Sequence, residues 1–195
     1  YHLAKSLFPK DLISKHWDIY PSNFQKVLFD NKKLKSFRSN ELSFKFNDSL
    51  EKAMMSRTTR VLNKLKKISG EEFIEKNKEI FFGNPETLHI GHEEYDYHDL
   101  FIIYFLYALF PFLEEKSKKN HFFVADIGGG YGGLIHSIKK NFPHAVCMLF
   151  DLPEQNYISN FYLKQLYPKA KILNLETLME IKGVKPLENL LLEKN

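Results

Sequence analysis

Two carboxylates and the glycines between them carry the chemistry that this chain can do. An apolar run over residues 122–127 includes Asp126 and leads into Gly128-Gly129-Gly130-Tyr131-Gly132-Gly133, and a second apolar run over 145–150 is followed by Asp151-Leu152-Pro153. Glycines allow a turn with positive φ and let backbone N–H groups approach a ligand with no Cβ in the way, while the turn opens a helix whose first N–H groups are unsatisfied. A carboxylate at the end of the second strand can accept both hydroxyls of a ribose. Strand, glycine turn, helix, strand and terminal acid make a nucleotide-binding βαβ half-site. Its candidate binding residues are Asp126, Gly128, Gly129, Gly130, Tyr131, Gly132, Asp151 and Leu152.

The nucleotide is a separate question. Gly128, Gly130 and Gly133 satisfy G-x-G-x-x-G, the dinucleotide fingerprint, which alone is a weak signal. Asp126 stands two residues before the first glycine, where a dinucleotide diphosphate would meet like charge. The ammonium and sulfonium of S-adenosylmethionine are cationic and are favoured there. S-adenosylmethionine is therefore the expected cofactor, with a dinucleotide-dependent oxidoreductase as the alternative. Either aspartate alone could simply start a turn or cap a helix; together with the glycines at this spacing they read as a site. Tyr131 either packs over the cofactor or covers the helix start.

Asp126-Ile-Gly-Gly-Gly-Tyr-Gly-Gly-Leu134, Asn141-Phe-Pro143 and Phe150-Asp151-Leu-Pro-Glu154 resemble the cofactor half of class I methyltransferases. The Asp-Leu-Pro element is similar to that of small-molecule O-methyltransferases, and the whole pattern most resembles a bacterial sugar O-methyltransferase family. The strong part of the resemblance spans 121–173; a softer part rests on Trp17, Gly83-Asn84-Pro85 and the helical run from His98. It implies a Rossmann-like α/β domain behind a helical N-terminal region, and methyl transfer from S-adenosylmethionine to a small-molecule acceptor, a sugar hydroxyl. Such a reaction benefits from a base or a metal, yet no catalytic residue and no metal ligand can be named. The resemblance also implies seven strands. Only about three are expected here, so the sheet reads as incomplete and the chain as a truncated form; a non-catalytic binding or assembly protein is the further alternative.

The elements that must position these groups divide the chain at 116–121. Residues 1–116 are expected to form a helical region and 121–195 the cofactor-binding domain. Asp48 or Ser49 can cap a helix running to about Ile68, with Leu50, Ala53, Met54, Val61, Leu62, Leu65 and Ile68 as its apolar stripe. A second helix is expected over 71–82 and a third, apolar on most sides, over 96–116. Beyond them, strands are expected at 122–127, 145–150 and 171–173, alternating with helices at 131–141 and 154–166, which implies a parallel sheet with right-handed crossovers. The first strand would lack a partner on one side. Either residues 187–192 fold back over it, or the chain self-associates.

Composition is that of a globular protein: 195 residues, 44% hydrophobic and a formal charge of +4. The lysines are spread over polar faces, so nucleic acid is not an expected partner, and the basic run 57–67 reads as a solvated helix face. One cysteine, Cys147, offers no disulfide framework and fits a reducing cytoplasm. The longest apolar stretch, 100–113, is shorter than the roughly 20 residues of a membrane span. The His and acid cluster between His89 and Asp99 lacks a helical His-x-x-x-His or Glu-x-x-His pair and reads as a polar loop and first helical turn. A different reading has His98, Asp99 or Tyr104 reach the cofactor.

Overall fold

The computed structural model describes residues 27–39, 48–78, 82–119 and 121–182. Trp17, Tyr20, Phe24, Phe44, Phe46 and the 187–192 segment lie outside them. The chain divides into two compact units, Ile19–Glu115 and Lys116–Asn195 together with Tyr1–Asp18.

In the first unit, Asp30 caps the short helix α1 (Asn31–Lys35) by accepting from the Lys32 and Lys33 N–H groups at 2.9 and 3.2 Å. The long helix α2 (Asp48–Ser69) starts and stops where the sequence predicts. Its buried stripe is narrower than expected: Leu62 and Leu65 are in the core, whereas Ile68 is exposed. Helix α3 (Glu71–Asn77) begins with two acids, which suit the positive end of the helix dipole. It ends earlier than the expected residue 82. The Asn77 side chain donates to the Phe73 carbonyl at 2.9 Å and the Lys78 N–H to that of Ile74 at 2.8 Å, so the last turn is closed there.

Residues 88–95, read from sequence as a loop, form a hairpin of β1 (Leu88–Ile90) and β2 (Glu93–Tyr95), with Leu88 opposite Tyr95. Gly91, at φ 68°, supplies the positive φ that a two-residue hairpin turn requires at its first position. Helix α4 (Tyr97–Ser117) follows, its first turn capped by Asp96 through the His98 N–H at 2.8 Å. Leu62 and Leu65 of α2, Ile74 of α3, Tyr95 of β2, and Leu100 and Ile103 of α4 make the core of this unit. Each such side chain contributes about 1.5–3 kcal/mol when fully buried.

The second unit is a parallel βαβ arrangement. Strands β3 (Phe122–Ile127) and β4 (Ala145–Phe150) pair in parallel from Phe122 opposite Ala145 to Ile127 opposite Phe150, with the bounds expected from sequence. Helix α5 (Gly133–Asn141) joins them, and α6 (Pro153–Leu166) follows β4. Ile135 and Ile138 of α5 and Ile158 and Tyr162 of α6 are buried. Phe123 and Ile127 of β3 and Phe150 of β4, which pairs with Ile127, share one sheet face and are exposed. The expected third strand is corrected: residues 171–173 join no ladder, and the described part of the sheet has two strands. The next residue, Asn174, instead caps helix α7 (Leu175–Glu180) by accepting from the Thr177 N–H at 2.9 Å, which turns the chain into helix directly after residues 171–173.

Candidate cofactor site at the glycine turn

The turn between β3 and α5 is built by backbone geometry and one carboxylate. The Gly128 N–H donates to the Phe150 carbonyl at 2.7 Å, joining the ends of the two strands. The Gly130 N–H donates to Asp151 Oδ2 at 2.7 Å, and the Leu152 N–H to Asp151 Oδ1 at 2.6 Å. Asp151 thus clamps the glycine turn onto the β4–α6 corner. Each of its oxygens retains lone-pair capacity, because a carboxylate oxygen has about two acceptor sites. Pro153 at the first position of α6 holds Leu152 in extended backbone and fixes where the corner turns into helix.

The glycines have different reasons to be there. Gly130 has φ 57° and open space where a Cβ would lie, so its backbone conformation is what excludes other residues. Gly129 is the crowded one: a Cβ there would come within 2.8 Å of Asp126 Oδ2 and 2.9 Å of Leu149 Cγ.

Asp126 lies in β3 with its side chain over Gly129. Its Oδ2 is buried and has no hydrogen-bond partner. Burial, and then the neighbouring charge of Asp151, push its carboxyl above the usual carboxylate range. A buried acceptor left unmade costs about 1–3 kcal/mol, more when charged. An incoming cation would remove that cost, and the vicinal hydroxyls of a ribose would suit Asp151.

Tyr131 does not stand alone at the turn. Its ring meets Tyr162 of α6 edge-on at 5.1 Å, and Tyr162 in turn meets His136 at 6.0 Å. His136 Nδ1 lies 2.9 Å from the Tyr167 hydroxyl, so an aromatic chain ties α5 to α6 behind the turn. Cys147 is half-buried on β4, and burial raises its thiol to about 11, which keeps it protonated and unreactive at neutral pH.

The His and acid cluster of the first unit has its own partners. Asp96 and Asp99 are both buried and both pair with one guanidinium nitrogen of buried Arg38, Asp99 at 2.8 Å. Arg38 also donates to the Phe82 carbonyl at 3.2 Å. Burial raises the Asp96 carboxyl, the Asp99 charge raises it further, and Arg38 opposes both. His89 pairs with Glu94 at 3.2 Å, and Glu93 accepts from Lys78 at 3.0 Å and from the Tyr95 hydroxyl. These contacts hold Glu93 down at about 2. Tyr104 lies under the Lys64 ammonium at 5.8 Å. Arg38 was not singled out in the sequence; it lies 58 residues from its first partner, and no local pattern signals the pairing. An open hollow of about 460 Å³ on α2, lined by residues such as Arg60, Lys64 and Lys67, shares no residue with the glycine turn.

Residues 115–176 match the family model of the O-methyltransferase domain, a span that contains β3, the glycine turn, β4 and α6. No curated protein and no solved structure matches the chain. Among the described residues no helix is long and apolar enough to cross a membrane.

Proposed function

We propose that the chain binds S-adenosylmethionine at the Gly128–Gly132 turn and serves methyl transfer to an oxygen of a small-molecule acceptor, a sugar hydroxyl. The observation that carries this reading is the half-buried Asp126 carboxylate, its Oδ2 buried and unpartnered and set over Gly129 of the turn. That acid fits a cationic ligand and opposes a diphosphate. The match of 115–176 to the O-methyltransferase domain supports the same reaction class. The sugar acceptor rests on the resemblance of Tyr131-Gly132 in the glycine turn and of Asp151-Leu-Pro-Glu154, and the reducing cytoplasm on the lone thiol of Cys147.

When bound, S-adenosylmethionine supplies a methyl carbon made electrophilic by its sulfonium. The chain's own residues hold and orient. Asp126 faces the cationic end, Asp151 accepts from the ribose hydroxyls with the lone pairs that Gly130 and Leu152 leave, and Gly128 and Gly130, with open space where a Cβ would lie, keep the approach clear, while Gly129 and Gly132 let the turn pack against its own neighbours. Tyr131, held by Tyr162, flanks the helix start. Orientation alone can lower such a barrier by up to about 7–11 kcal/mol when the reacting atoms are aligned.

Incubation with S-adenosylmethionine labelled at the methyl group and a panel of sugar and phenol acceptors tests the reading. Label in the sugar fraction is expected. Label in phenols alone would overturn the sugar assignment and keep the reaction class, and label in neither would overturn both. The G-x-G-x-x-G overlap favours a second reading, a dinucleotide site, against which Asp126 stands.

A further inference from the structure

The β4–α6 corner contains a polar side chain that the sequence motifs do not mark. Asn156, one turn into α6, donates from Nδ2 to the backbone carbonyl of Asp151 at 2.9 Å. The carbonyl can only accept, so the atom facing it is the amide nitrogen. The other half of the amide, Oδ1, is buried without a hydrogen-bond partner. For stability alone the amide brings little, since the bond from its Nδ2 to the Asp151 carbonyl is offset by the buried Oδ1 left unmade.

Asp151 itself is fixed on three sides. The carbonyl of the residue before it accepts from Gly128, its own carbonyl accepts from Asn156, and its carboxylate accepts from Gly130 and Leu152. The Asn156 bond is the one supplied by a side chain outside the motif. It restrains rotation of the Asp151–Leu152 peptide, and with it the direction in which the carboxylate leaves the main chain. We infer that Asn156 is a positioning residue, which aims the Asp151 carboxylate at the ribose hydroxyls of the nucleoside ligand. The inference rests on the methyl-donor reading above and extends it by one residue.

The test is a double-mutant cycle on the full chain, with calorimetric affinity for S-adenosylhomocysteine and a thermal melt of every variant. Asn156→Leu keeps the shape and removes both the donor and the orphaned acceptor. Its melting temperature should stay close to that of the parent, because the bond lost to the Asp151 carbonyl is offset by removal of the buried Oδ1, while its affinity should fall about threefold to tenfold, the worth of one neutral hydrogen bond. In an Asp151→Ala background the same substitution should change affinity less than twofold, because the group through which it acts is gone. Asn156→Ala repeats the cycle should the leucine variant fail to fold. Unchanged affinity in the single variant would overturn the inference, as would an equal loss in both backgrounds, which would make Asn156 a merely structural residue. If the parent bound no S-adenosylhomocysteine, the methyl-donor reading would fall and this inference with it; a parent that binds separates the two failures.

Discussion

Replacing Asp126 with asparagine should make the protein more stable and the site weaker. In the ligand-free protein, Asp126 Oδ2 is a buried carboxylate oxygen without a partner, and its carboxyl is raised by burial and by Asp151. An unsatisfied buried acceptor costs about 1–3 kcal/mol, and the neutral amide retains part of that cost. A gain of about 1 kcal/mol at neutral pH is therefore expected, which raises the melting temperature by about 2–4 °C in a chain of this size. The sign follows from linkage. A folded-state pKa above the usual 3.8 contributes stability that is fully present below 3.8 and lost as pH rises through the folded value, so the gain from Asp126→Asn grows with pH over that window. Binding runs the other way. S-adenosylhomocysteine lacks the sulfonium but keeps an α-ammonium, which pairs with ionised Asp126 through a bond worth about 1.5–3 kcal/mol, so the substitution should weaken it about tenfold to a hundredfold. Parent affinity should rise with pH through the Asp126 titration, and the variant's should stay flat. Calorimetry and thermal melts between pH 4 and 8 measure both. A variant that melts lower than the parent, or binds within twofold of it, would refute the reasoning.

The glycine turn separates crowding from backbone strain. Gly129→Ala should cost about 1–3 kcal/mol by overpacking against Asp126 and Leu149, and Gly130→Ala about 1–2 kcal/mol from its positive φ alone; denaturant melts distinguish these costs from an unaffected turn. Arg38→Met leaves Asp96 and Asp99 without their guanidinium and should cost about 3–5 kcal/mol, read by urea unfolding. Because the Asp96 carboxyl is raised, the stability it contributes is complete below 3.8 and lost as pH rises through its folded value; Asp99→Asn removes the second cause of the shift and should flatten that slope. A variant with the parent's slope would show that the two acids are not coupled.

The site was legible in the sequence wherever chemistry and chain order coincide. Strands 122–127 and 145–150 are continuous apolar runs bounded by glycines, proline and acids, and both formed with the expected bounds. The start of α2 was equally plain from Asp48. The β1–β2 hairpin escaped because its strands are three residues each and two of the three residues of β2 are exposed glutamates, although Gly91-His92 between Ile90 and Glu93 was a hairpin signal. Residues 171–173 looked like a strand by composition, but a strand exists only through its ladder, and the asparagine cap that follows favours helix. Within the turn, glycine spacing was visible and the reason for each glycine was not: the crowding at Gly129 comes from the Asp126 side chain together with Leu149 on another strand. Arg38 with Asp96 and Asp99, and Asn156 with the Asp151 carbonyl, are matters of tertiary placement that no spacing rule encodes.

The central claim is that the acid beside the glycine turn selects a nucleoside that carries an ammonium over one that carries a diphosphate. Its most direct measurement is calorimetric titration of the full chain with S-adenosylhomocysteine and, separately, with NAD. The account predicts saturable binding of S-adenosylhomocysteine and at least tenfold weaker binding of NAD. Binding of NAD as tight or tighter, or no binding of S-adenosylhomocysteine, would contradict it.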